Sequence, residues 1–91
     1  MAIAVINPTT GVTESTFEPH DADEIERRIA LADSAVYAMR DTDFAQRAEW
    51  MRAAADLLEA EADDVAIMMV REMGKPVAQA RAEALKCVKN M

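Results

Sequence analysis

Cys87 and His20 are the residues here whose side chains most readily do chemistry, and each occurs once in the 91-residue chain. A thiolate can attack a carbonyl when a helix N-terminus or a neighbouring cation lowers its pKa. Cys87 has neither signal in sequence: it falls well inside a helical run and has no His near it, so the expected role is that of a small apolar packing residue. His20 is followed by Asp21, Asp23 and Glu24, a set that loosely suggests a metal. One His with sequential acids lacks the facing geometry that zinc requires, so a solvated turn residue is expected. Glu59, Glu61, Asp63 and Asp64 could attract a divalent cation, but they lack the alternate ligand spacing and central Gly of a calcium loop and read as a solvated face. Met68, Met69 and Met73 could form a pliable partner groove, although such a stripe is more often core or an interdomain contact. With Gly11 and Gly74 the only glycines, neither a dinucleotide-binding turn nor a phosphate-cradling loop can be built. No catalytic, cofactor-binding or metal-ligating residue is therefore assigned.

The elements that must position these side chains change character once along the chain. Residues 2–19 carry β-branched residues and turn formers, whereas the chain after Asp21 is rich in Ala, Leu, Met, Glu and Arg, which lose little on entering a helix. Ala2 to Ile6 and Val12 to Phe17 are expected as two strands joined through Asn7-Pro8-Thr9-Thr10-Gly11, with Pro8 presetting φ and Gly11 supplying a positive φ. Asp21 is placed to cap a first helix with Glu24 reaching back in a capping box, and Glu24 also stands four residues before Arg28. Ile25, Ile29, Ala32, Val36 and Met39 share one face of that helix. A second helix is expected from Thr42 or Asp43 with a buried stripe of Phe44, Ala48, Met51, Ala55 and Leu58. Trp50 falls outside that stripe, free to dock on other protein. Crowded acids predict a break between Glu59 and Asp64, with Asp63 or a neighbour capping a third helix through Val65, Met68, Met69 and Met73. Gly74 suits the left-handed end of that helix, Arg71 and Lys75 complement its dipole, and Pro76 suits the first position of a fourth. The fold class expected is an α+β fragment, a hairpin over 2–18 followed by three or four helices over 21–91.

Composition narrows the partners. A net charge of −7 at pH 7 argues against nucleic acid and against anionic membranes, both of which need clustered Lys and Arg. Met1 to Ile6 are too few and lack the basic flank of a signal peptide. A cytoplasmic protein is expected, and a lone Cys fits a reducing compartment. At this length the core is thin, with only ~60% of the unfolded surface hidden on folding. The amphipathic pattern still runs at Ala84, Val88 and Met91 with no stop signal, from which the chain is expected to be the opening piece of a longer protein.

Taken together, Asn7-Pro8-Thr9-Thr10-Gly11, Phe44-Ala45-Gln46-Arg47, Leu57-Leu58-Glu59, Glu72-Met73-Gly74-Lys75-Pro76 and Glu83-Ala84 stand in the order and spacing that resemble the start of the aldehyde dehydrogenase superfamily. The stretches Ala55 to Asp63 and Ala82 to Cys87 look most like the bacterial NAD(P)-dependent succinate-semialdehyde dehydrogenases. The resemblance implies a homo-oligomeric enzyme several times longer, with a Rossmann-type cofactor domain and a catalytic domain that oxidises an aldehyde through a thiohemiacetal on Cys and passes hydride to NAD or NADP. It also implies that this region precedes that machinery as a peripheral hairpin and helices packed against the cofactor domain. The family's nucleophile and base map onto no position here, and Cys87 is not that nucleophile. The chain alone is then expected to bind no cofactor tightly, and its partner is the rest of the fold or another copy of itself. The competing reading is a free-standing acidic helical interaction module.

Overall fold

A computed structural model describes residues 2–91. Strand β1 (Ile3–Ile6) pairs antiparallel with β2 (Thr13–Phe17), and four helices follow: α1 (Ala22–Arg40), α2 (Phe44–Ala60), α3 (Ala62–Met73) and α4 (Val77–Asn90). The α+β class and the hairpin-then-helices order agree with the sequence reading.

The loop between the strands forms as its residues dictate. The Asn7 side-chain oxygen accepts from the Thr9 amide at 2.9 Å, the Gly11 amide donates to the Asn7 carbonyl at 2.8 Å, and Gly11 sits at φ +73°. Val12 lies in this loop rather than in β2. Ile3 pairs with Phe17 and Val5 with Ser15, yet Ile6 pairs with Thr13, so Glu14 is an extra residue that bulges the second strand.

Helix α1 begins where Asp21 caps it, the Glu24 amide donating to the Asp21 carboxylate at 2.8 Å. Only that half of the expected capping box forms, because the Glu24 carboxylate turns forward to Arg27 and Arg28. Asp43 caps α2 in the same way, accepting from the Gln46 amide at 2.8 Å. The break among the acids is real and falls at Glu61, the shared end of α2 and α3. Asp63 does not cap α3: it lies inside the first turn, and Glu61 makes no side-chain capping bond. Gly74 closes α3 at φ 70°, its amide donating to the Val70 carbonyl at 3.0 Å. Pro76 stands one position earlier than expected, as the cap of α4.

Among the described residues the buried side chains are alanines: Ala62 and Ala66 of α3, Ala80 and Ala84 of α4. Four-residue spacing puts each pair on one helix face, and small side chains there let α3 and α4 approach closely, with α2 lying against α4. The expected α2 stripe is only partly packed. Ala48, Ala55 and Leu58 are half-buried, while Phe44 and Met51 are exposed. Helix α1 packs its apolar face against no other element and leaves Ile25, Ile29, Val36 and Met39 exposed. Helical periodicity specifies which face is apolar; it does not supply the surface that covers it.

Candidate functional site: an uncovered apolar surface framed by a helical corner

Residues at the α3–α4 corner fix how the hairpin meets the helices. A Cβ added to Gly74 would lie 2.9 Å from Pro8 Cγ, so the hairpin loop rests directly on the left-handed end of α3. Lys75, just beyond, pairs with Glu83 on α4, and the Arg81 Nε donates to Asp63 at 2.8 Å, tying α4 back to the start of α3. Beside this corner Val5 and Ser15 of the hairpin, with Ile67, Met68 and Arg71 of α3, line a shallow depression of about 240 Å³. The pattern Glu-Met-Gly-Lys-Pro thus builds a joint.

A second joint holds α1 to α2. Arg47 donates from Nε to the Thr42 hydroxyl at 2.9 Å and from Nη2 to the Met39 carbonyl at 3.1 Å, while Thr42 donates to the same carbonyl at 2.7 Å. Two carbonyl lone pairs at the C-terminal end of α1 are satisfied by one side chain from the next helix and one from the connection. The guanidinium also sits 5.7 Å from the centre of the Phe44 ring. Sequence reasoning quoted Phe44 to Arg47 as a pattern without seeing this role. The signal was there in kind, because Arg early in a helix is poorly placed for that helix's own dipole and needs a carbonyl elsewhere.

The chemistry-bearing residues do not converge. Cys87 is exposed, against the expectation of a packed thiol, and shares a shallow surface depression with Lys75, Glu83 and Lys86. The packed stripe of α4 runs through Ala80, Ala84 and half-buried Val88, and its drift around the helix carries it away from Cys87. His20 lies in the exposed segment before α1, near enough for its charge to favour the ionised form of Glu24. Arg27 and Arg28 do most of that work and hold Glu24 at a pKa of about 2. The same pairing raises the pKa of Arg27. Glu59, Glu61, Asp63 and Asp64 are all exposed, and no group of three His, Cys, Asp or Glu arranged to hold a metal occurs among the described residues.

What the surface does offer is apolar area. Trp50 at 47%, Phe44 at 86%, Met68 at 56% and Met73 at 69% are exposed, as is the face of α1. A monomeric protein of 10.0 kDa is expected to expose ~5,200 Å². This chain exposes 7431 Å². Its radius of gyration is 17.5 Å, where a compact domain of this length has about 12 Å. A sheet of helices one layer deep, small residues packed within it and large apolar residues outside, is suited to lie against more protein.

The sequence model of the aldehyde dehydrogenase family matches residues 1–91, and the chain belongs to that family. It is 50% identical over 91 residues to an aldehyde dehydrogenase of Paenarthrobacter nicotinovorans, a match that covers 100% of this chain and 20% of that protein. It is 56% identical over 89 residues to succinate-semialdehyde dehydrogenase [NADP(+)] 1 of Mycobacterium tuberculosis (strain ATCC 25618 / H37Rv), covering 98% of this chain and 20% of the relative. The succinate-semialdehyde dehydrogenase [NADP(+)] of Mycobacterium avium (strain 104) is likewise 56% identical, over 90 residues, with 98% and 19% covered. The chain therefore spans about a fifth of the length of the curated relatives it matches, at their N-terminal end.

Proposed function

We propose that residues 1–91 are the N-terminal part of the cofactor-binding domain of an NAD(P)-dependent aldehyde dehydrogenase that oxidises succinate semialdehyde to succinate. The hairpin over 2–18 and the helices over 21–91 form its outer layer, and the Rossmann core and catalytic domain lie in the remaining four fifths of the fold. The observation that carries this reading is 56% identity along 98% of the chain to relatives named for that activity. The uncovered apolar residues support it, because such a surface in a family member of this span is what the remainder of the fold, or in its absence another copy of the chain, would cover. The role of these residues is structural: they neither hold nucleotide nor attack aldehyde, and Cys87 stands exposed in a shallow depression lined by Lys75, Glu83 and Lys86 with no His among its lining residues.

Between NAD and NADP the relatives' names favour NADP. We place the enzyme in the cytoplasm, which its acidic charge and single cysteine support. Among the described residues no helix is long and apolar enough to cross a membrane. The alternative of a free-standing interaction module is disfavoured by a packed core made of alanines, from which the large apolar residues are left out.

The test is a chimera in which this chain replaces the matching N-terminal segment of the Mycobacterium tuberculosis relative. Succinate-semialdehyde-dependent formation of NADPH is expected from the chimera and none from the 91 residues alone. In the chimera Cys87→Ser should leave the rate unchanged. Turnover by the isolated chain that vanishes in Cys87→Ser would overturn the structural role, and a folded chimera inactive toward succinate semialdehyde would overturn the substrate.

A further inference from the structure

We propose that Thr42 is the hinge between α1 and α2 and that Arg47 is the lock on it, a positioning residue whose guanidinium fixes the direction in which α1 leaves the rest of the chain. The inference concerns this corner of the chain and does not rest on the activity proposed above.

Among the described residues α1 packs against no other element, so no side-chain packing sets its angle. Its direction is carried by the three residues that join it to α2, and two of them are already committed. Asp41 keeps helical dihedrals, φ −80° and ψ −6°, with its amide donating to the Tyr37 carbonyl at 3.3 Å. Asp43 is extended at φ −90° and ψ 173° and is held there as the cap of α2, accepting from the Gln46 amide at 2.8 Å. Each end of the connection thus belongs to the helix it touches. Thr42 is what remains, and a change in its dihedrals swings the 19 residues of α1 as one body.

Arg47 closes on that residue from the first turn of α2. Its Nε donates to the Thr42 hydroxyl at 2.9 Å, and its Nη2, which carries two hydrogens, donates to the Thr42 carbonyl at 3.3 Å and to the Met39 carbonyl at 3.1 Å. One side chain of α2 therefore holds the hinge residue and the last turn of α1 together. Thr42 takes part with its own hydroxyl, which donates to the Met39 carbonyl at 2.7 Å while accepting from Arg47. Three acceptors placed around one planar fork admit a narrow range of hinge angles, whereas a lysine ammonium is a point charge on a flexible stem and does not span them. Thr42 and Arg47 are half-buried, and the guanidinium sits 5.7 Å from the centre of the Phe44 ring, so water competes for these bonds less than it does for the exposed pairs of α1. A direction fixed in advance spares the surface that covers α1 the ordering of a freely swinging helix.

Spin labels on Cys87, exposed on α4, and on Ser34→Cys of α1 read the hinge angle as a distance, because α4 packs against α2 and moves with it. Diluting the labelled chain into unlabelled chain confines the signal to distances within one molecule. With Thr42 and Arg47 native, a single narrow distribution is expected. Arg47→Met should widen it about twofold or more with helical circular dichroism retained, and Arg47→Lys should widen it too, since charge without the fork does not hold the hinge. Thr42→Val should widen it and Thr42→Ser should leave it narrow, because Val matches the shape of Thr without the hydroxyl and Ser keeps the hydroxyl. Arg52→Met, further along α2, should leave it unchanged. A native distribution as broad as that of Arg47→Met, an Arg47→Met or Arg47→Lys distribution as narrow as the native one, or equal widening by Arg52→Met would overturn the proposal. If Arg47→Met loses its helical signal, the Thr42 pair decides, and equal widths for its Val and Ser variants would overturn the lock. A broad native distribution would leave the chimera's activity untouched, and an inactive chimera would leave the lock standing.

Discussion

Glu24 gathers more charge than any other carboxylate of the chain. Arg27 holds both of its oxygens, at 2.6 and 2.7 Å, and Arg28 approaches one of them at 2.8 Å. These bonds favour the carboxylate and lower its pKa from 4.5 to about 2. A depressed folded pKa means that the stabilisation is complete above the unfolded value and is lost as pH falls through the folded one. The helical signal of the wild type should therefore exceed that of Glu24→Gln by a constant amount from neutral pH down to about 4.5, and the difference should close near pH 2. Circular dichroism across that range, with carboxyl NMR of Glu24, checks it; a difference that persists at pH 2 would sink the argument. This network was legible in part, since Glu24 and Arg28 stand four apart. The capping box read from the same residue was not what formed, because two guanidinium groups compete for the carboxylate better than one backbone amide.

Among the elements, the corner between α3 and α4 carries the most information per residue. Gly74 serves two ends at once, a left-handed φ of 70° and room for the Pro8 ring. Gly74→Ala should cost about 1–2 kcal/mol for the backbone conformation alone, with a further penalty from the contact at Pro8. Urea unfolding would register it as a lower midpoint, and no loss would mean that the hairpin loop does not rest on this corner. The positive φ followed from sequence, because Gly between an amphipathic run and Pro is a helix stop. The neighbour did not, since Pro8 and Gly74 are brought together only by the fold. The apolar stripe of α1 was read correctly as a face, whereas that of α2 was read as buried and is so only in part, with Phe44 and Met51 exposed, and the same limit applies to Cys87.

At the scale of the whole molecule, the unfolded chain would expose ~14,500 Å², so folding to 7431 Å² hides about half of it, short of the ~60% usual for a domain this size. Among the described residues no side chain larger than Ala is fully buried. Thermal unfolding of the chain by itself should accordingly be broad, with ANS bound at neutral pH, and covering the surface with the remainder of a relative's fold should sharpen the transition. A sharp transition without dye binding would count for an independent module and against this reading.

Local chemistry determined what could be read in advance. Asn-Pro-Thr-Thr-Gly makes its own turn, Asp21 and Asp43 cap helices through bonds that span three residues, and crowded acids end α2; each is settled by neighbours in sequence. Family membership was legible for a related reason, since the patterns that carry it are these same turns and helix ends at fixed spacing. Tertiary structure alone decided which apolar faces find cover. Four alanines allow α3 and α4 to close on each other, and that contact leaves Phe44, Trp50, Met68 and the stripe of α1 outside, because burial requires a second surface and helical periodicity specifies only the first.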